Sequence, residues 1–153
     1  MSFLENLQTK FNGHVAFRQR RPGLYQLHAP LFHEDGDMVD IFLSEFQNGQ
    51  PQVRVSDEGM TLMRLSYSYD VDTESRQRVL RSILAENQVL QENGCLYLNT
   101  EMSGLYPAVL QFAQTAAKVS SMQYFRREAT KSMFYEMLEE FILDNFARFN
   151  PKK

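Results

Sequence analysis

A chain of 153 residues with 43% hydrophobic content can bury one substantial core and is too short for two ordinary domains. Its longest apolar runs are only a few residues, so no membrane span is expected, and the start MSFLENLQTKF lacks the basic-then-apolar pattern of a secretory signal, which points to the cytoplasm. A net charge of −3 argues against general nucleic-acid binding, which rests on clustered Lys and Arg, and the lone Cys95 excludes an intramolecular disulfide and reads as a small strand residue.

The charge is unevenly spread. Lys10, Arg18, Arg20 and Arg21 against Glu5 leave the first thirty residues at +3, while seven acids against Arg54 leave residues 33–58 at −6. Solvated turns and strand edges account for this without a partner, since charge belongs on the surface by default.

Along the chain, Phe3, Leu4, Leu7 and Phe11 approximate helical spacing between Ser2 and Gly13, which predicts a short N-terminal helix packing as a lid. Residues 14–20 and 24–28 read as two strands around Arg21-Pro22-Gly23. Val39, Ile41 and Leu43 alternate with Asp40, Phe42 and Ser44, the period of a half-buried strand. Asn48-Gly49 turns the chain, and Val53 and Val55 resume the alternation on the way back. Ser56 and Asp57 then precede Met60, Leu62, Met63 and Leu65 at helical spacing, so a helix over 60–66 starts on an oxygen-bearing cap. A second cap at Asp72 or Thr73 opens a helix whose stripe is Val79, Leu80, Ile83 and Leu84. Val89-Leu90 and residues 95–98 flank Asn93-Gly94 and add a small hairpin. Leu105, Val109, Phe112, Ala116 and Val119 form a seam spaced four, three, four, three, with Pro107 tolerated in the first turn. The last helix, about 130–149, carries Phe134, Met137, Leu138, Phe141, Ile142 and Phe146 over more than one narrow stripe, beside Met133, Tyr135 and Phe149. That is more apolar surface than one contact needs.

The run Arg54-Val55-Ser56-Asp57-Glu58-Gly59-Met60-Thr61-Leu62 resembles the strand-to-helix signature (hydrophobic, Ser/Thr, Asp, any, Gly, any, Thr, Leu/Ile) of an uncharacterised domain family of bacteria, prophages and other mobile elements. Pro30-Leu31-Phe32, Gly36-Asp37 and the strand from Val39 resemble that family's opening, and the resemblance covers roughly residues 29–122. The family offers no catalytic residues to carry over. It implies a setting in which small single-domain proteins inhibit or regulate bacterial defence systems.

Candidate chemistry is sparse. Asp40 with Glu45 or Asp57 suggests the paired acids of a metal-dependent nuclease, but the second strand offers Gln52-Val53-Arg54 where such sites carry a lysine. His33-Glu34-Asp35-Gly36-Asp37 holds metal-binding residue types without the spacing of a calcium loop, and a polar turn explains it. His14 and His28 lie on expected neighbouring strands with no third ligand. Asp57, Glu58 and nearby Arg54 read either as a helix cap or as an acidic turn presented to a partner; the cap alone explains the residue types. Tyr124, Phe125, Arg126, Arg127 and Lys131 are the best nucleic-acid candidates, yet Glu128, Glu136, Glu139, Glu140 and Asp144 interrupt or follow them.

The expectation is one α+β domain over residues 1–149 with a polar tail at 150–153: an antiparallel sheet in the N-terminal half, a middle helix and small hairpin, and two C-terminal helices. Functionally the reading is a non-enzymatic, phage-associated accessory protein without cofactor or metal. It binds a protein of a bacterial defence or regulatory system and forms a homodimer through Phe134, Met137, Leu138, Phe141 and Ile142. The alternative is a nucleic-acid-binding or metal-dependent processing domain.

Overall fold

The computed structural model describes residues 9, 12–125 and 127–149, with the backbone alone for 127–130, 148 and 149. The expected N-terminal helix, apart from Thr9 and Asn12, and the polar tail lie outside the described residues. The architecture is α+β. Six strands, β1 (Ala16–Arg21), β2 (Leu24–His28), β3 (Ile41–Asn48), β4 (Gln50–Ser56), β5 (Leu90–Glu92) and β6 (Cys95–Thr100), form one sheet in the order β1-β2-β3-β4-β6-β5. Every pairing is antiparallel. The chain leaves the sheet after β4 to form α1 (Met60–Ser66) and α2 (Glu74–Glu86), then returns with the β5–β6 hairpin, which docks on β4 through β6. Two further helices follow, α3 (Leu105–Ser120) and α4 (Arg127–Phe149), joined by a 3₁₀ segment, Ser121–Phe125.

Strand alternation decides which face meets the helices. Ile41, Val55, Leu96 and Leu98 are buried with Leu80 and Leu84 of α2 and Phe112, Ala113, Ala116 and Val119 of α3. The α3 seam read from the sequence therefore lies in the core, as does most of the α2 stripe. Val79 is the exception: it is exposed, because a helix lying on one flank of α3 buries a narrower arc than four apolar positions cover. Thr73 is the α2 cap, its hydroxyl accepting from the Arg76 amide.

The turns follow their residue types. Glu92 and Cys95 pair across Asn93 and Gly94, both with positive φ (51° and 78°), the two-residue reversal that an Asn-Gly pair permits. Strand boundaries differ from expectation at two places. β1 begins at Ala16, so His28 faces Ala16 and not His14. β3 begins at Ile41, because residues 29–40 close on themselves through a Phe32–Met38 bridge before the sheet resumes.

Candidate functional site

The β4–α1 junction is built around one carboxylate. Asp57 is fully buried, and its Oδ1 accepts from the amides of Gly59 (2.9 Å) and Leu96 (2.9 Å) while its Oδ2 accepts from Thr61 (2.9 Å). Two of these amides belong to the unsatisfied first turn of α1, and the third lies 39 residues away on β6. Gly59, at φ +84°, makes the left-handed step that brings the helix start onto the carboxylate. The N-cap position is Gly59 and not Ser56 or Asp57 as expected, and Gly59 has no side chain to offer; Asp57, two residues earlier, accepts from the helix start instead, and because it also ties down β6 it is buried between the two elements and not presented to a partner.

Its neighbours divide. Glu58 is exposed at φ 50°, accepts from the Ser56 hydroxyl (3.0 Å) and pairs with Arg21 of the edge strand (3.3 Å), not with Arg54. Arg54 lies on the face of the sheet away from the helices, over the Tyr97 ring (4.2 Å) and near Phe46 (5.5 Å), and donates to Asn99 Oδ1 (3.0 Å). The register explains this grouping, since Asn99 is its direct cross-strand partner on the same face. Arg54, Asp57 and Glu58 are thus close in sequence and point three ways.

Asp40 and Asp57 do not form a paired-acid centre: Asp40 accepts from the Gln26 amide (3.1 Å), and Asp57 is committed to backbone. Among the described residues no group of three His, Cys, Asp or Glu side chains gathers as metal ligands would. Residues 33–37 form a tight polar loop instead. Arg64 of α1 holds both of its aspartates, donating to Asp37 at 2.8 Å and also to Asp35. His33 is buried and shares a 2.9 Å hydrogen bond, Nδ1 to Ser120 Oγ, with the end of α3.

Burial, reinforced by the nearby Arg64 cation, pushes the His33 pKa below its ordinary value of 6.5. The unfolded chain then takes up a proton at this residue before the folded one does, so stability should fall as the pH drops below about 6.5. Melting temperatures measured from pH 7.5 to 5.5 should decline, and His33→Gln should flatten part of that decline. An unchanged slope in the variant would rule out His33 as the source. Asp35 acts in a lower window: its carboxyl is held below its ordinary 3.8 chiefly by the Asp37 amide, so the stability it contributes is lost only as the pH falls through that depressed value.

The other candidate is α4. Phe134, Met137, Leu138, Phe141 and Ile142, with Met133, Tyr135, Leu143 and Phe146, are between 40% and 66% exposed. From Lys131 to Ala147 every residue but Asn145 is exposed. Glu136, Glu139, Glu140 and Asp144 are exposed among them. Tyr124 and Phe125 are exposed just before it, Lys131 lies over Tyr135 (5.9 Å), Arg126 falls outside the described residues, and Arg127 is described by its backbone alone.

The sequence reading overlooked a second apolar surface. Phe17 of β1, Leu43 of β3, Met102 in the 3₁₀ turn Met102–Gly104, and Tyr106 and Leu110 at the start of α3 line an open groove of about 650 Å³. Tyr106 and Leu110, four apart on α3, lie beside the core seam, a signal that this helix is apolar over more than one stripe at its start.

Among the described residues no helix is long and apolar enough to cross a membrane. Comparison with curated proteins and with solved structures gives no match. The family model "Domain of unknown function DUF1828" matches residues 29–119, more than half of the sequence, and the chain belongs to that family.

Proposed function

We propose that this chain is a non-enzymatic binding protein that associates through α4 and forms a homodimer, acting in the cytoplasm as an accessory of a phage or other mobile element on a bacterial defence or regulatory system. The observation that supports it is the exposed apolar arc of α4, centred on Phe134, Met137, Leu138, Phe141 and Ile142. Soluble chains rarely leave so many large apolar side chains together in water, and a helix apolar over this wide an arc belongs in an interface. The defence setting rests on the sequence resemblance alone.

Static light scattering at tens of micromolar should give twice the mass of one chain; a single-chain mass would reject the homodimer. Tagged protein captured from a bacterial lysate, with and without nuclease, should retain a stoichiometric protein partner in both samples. Recovery that disappears with nuclease would favour the alternative reading, nucleic-acid binding around Tyr124 and Phe125, whose exposed rings offer stacking surfaces.

A further inference from the structure

We infer that the cavity between the 33–37 loop, α1 and the Ser121–Phe125 segment binds an alkylammonium group, whose charge meets Glu34 and whose chain lies along Met60, Met63 and Tyr67. The cavity is open and measures about 390 Å³, within the usual size of a small-ligand site. Glu34, one of its lining residues, is anchored by two other side chains. The Ser68 hydroxyl donates to Gln123 Oε1 (3.1 Å), and the Gln123 amide donates in turn to Glu34 Oε1. This relay fixes the amide's orientation and leaves nothing for the second carboxylate oxygen. Glu34 Oε2 is buried and accepts no hydrogen bond among the described residues. An oxygen so placed has lost water without gaining a donor, an arrangement that a bound N–H completes.

Charge selects the occupant. Arg64 also lines the cavity, but it donates to both Asp35 and Asp37, so its cation is already matched. The Glu34 carboxylate is the charge left over. An anionic ligand would add to it, and a neutral donor would satisfy the oxygen while leaving the charge. Among the described residues the acids do not gather as metal ligands would, which points to an organic cation in place of a metal ion. The remaining wall suits its hydrocarbon part. Met60 and Met63 flank the cavity with flexible apolar side chains, and Tyr67, 80% exposed, adds a ring whose face attracts ammonium groups. Glu34 Oε2 is shielded from water as the side chain stands, so the ligand meets it by a turn of that side chain within the loop. A free diamine and the lysine side chain of a protein both carry this chemistry.

The test titrates the isotope-labelled full chain at low salt with cadaverine and, separately, with a blocked tripeptide carrying one central lysine, and follows the amide signals by NMR. Shifts are expected at residues 33–37, at Ser68 and at the Gln123 side-chain NH₂, and the tighter of the two probes identifies the source, free amine or protein. Glu34→Gln keeps the shape and removes the charge, so it should weaken binding about tenfold or more. Tyr67→Ala removes a ring too exposed for the fold to depend on it and should weaken binding by a smaller factor. Melting temperatures of both variants separate lost binding from lost folding; if Glu34→Gln melts early, Tyr67→Ala decides. An affinity unchanged by Glu34→Gln in a folded chain would overturn the inference, and so would one unchanged by Tyr67→Ala where that variant decides. Shifts confined to the acids of α4 would mean attraction to net charge alone and would overturn it too, as would the absence of shifts with either probe.

Discussion

Asp57→Ala is expected to destabilise the fold by about 3–5 kcal/mol, among the largest effects available to a single substitution in this chain. The alanine leaves the buried amides of Thr61 and Leu96, and the partly buried amide of Gly59, without their acceptor. Each unsatisfied buried donor costs about 1–3 kcal/mol, and water entering the space recovers part of it. Urea denaturation should show the midpoint falling with the slope unchanged, the sign of lost stability in an unaltered two-state transition. Asp57→Asn makes a finer test. One oxygen can still accept from Gly59 and Leu96, but the new NH₂ must then face the Thr61 amide, donor against donor. Its loss should lie between wild type and Asp57→Ala. A change below about 1 kcal/mol in the alanine variant would show that the junction is held by something other than this carboxylate.

Phe141→Asp is expected to act on assembly and leave the single chain almost untouched. The ring is 65% exposed at the middle of the α4 apolar arc, so a charge there costs the monomer no more than about 0.5 kcal/mol. Buried in an interface, the same carboxylate would be desolvated without a partner, which should cost about 2–4 kcal/mol and raise the dissociation constant at least tenfold. Light scattering should then report a monomer where the parent chain is dimeric, with unchanged thermal melting once both are diluted below the dissociation range. A dimer that survives Phe141→Asp intact would remove α4 from the interface.

Local patterns in the sequence were good guides wherever one residue type serves one geometric need. The alternation around Ile41 and Val55, the Asn93-Gly94 reversal and the α3 seam each appear in the structure because burial on one face, positive φ and helical period are short-range requirements. Asp57 was recognisable as an acceptor for the helix start, though the N-cap position itself is Gly59, but its bond to β6 was not, because the Leu96 amide lies 39 residues away and only the sheet order brings it near. The pairing of His33 with Ser120 spans 87 residues and carries no local signal. Val79 shows the reverse error: periodicity marks an apolar position, while the width of the neighbouring helix decides whether it is covered. The candidate association helix was legible because its apolar positions exceed any single stripe. The groove was not, since Tyr106 and Met102 sit beside a core seam and read as part of it until the sheet and helix are placed together.

The family match ends at residue 119, close to the end of α3, and begins at residue 29, after β2. The Asp57 junction, β3 to β6 and most of α3 therefore belong to the shared segment, whereas β1, exposed along its whole length, and α4 lie outside it. Changes in those two elements disturb few buried contacts and cost the fold little. The hydrogen-bonded frame thus falls inside the shared segment, and α4, on which the proposed association rests, falls where substitutions leave that frame undisturbed.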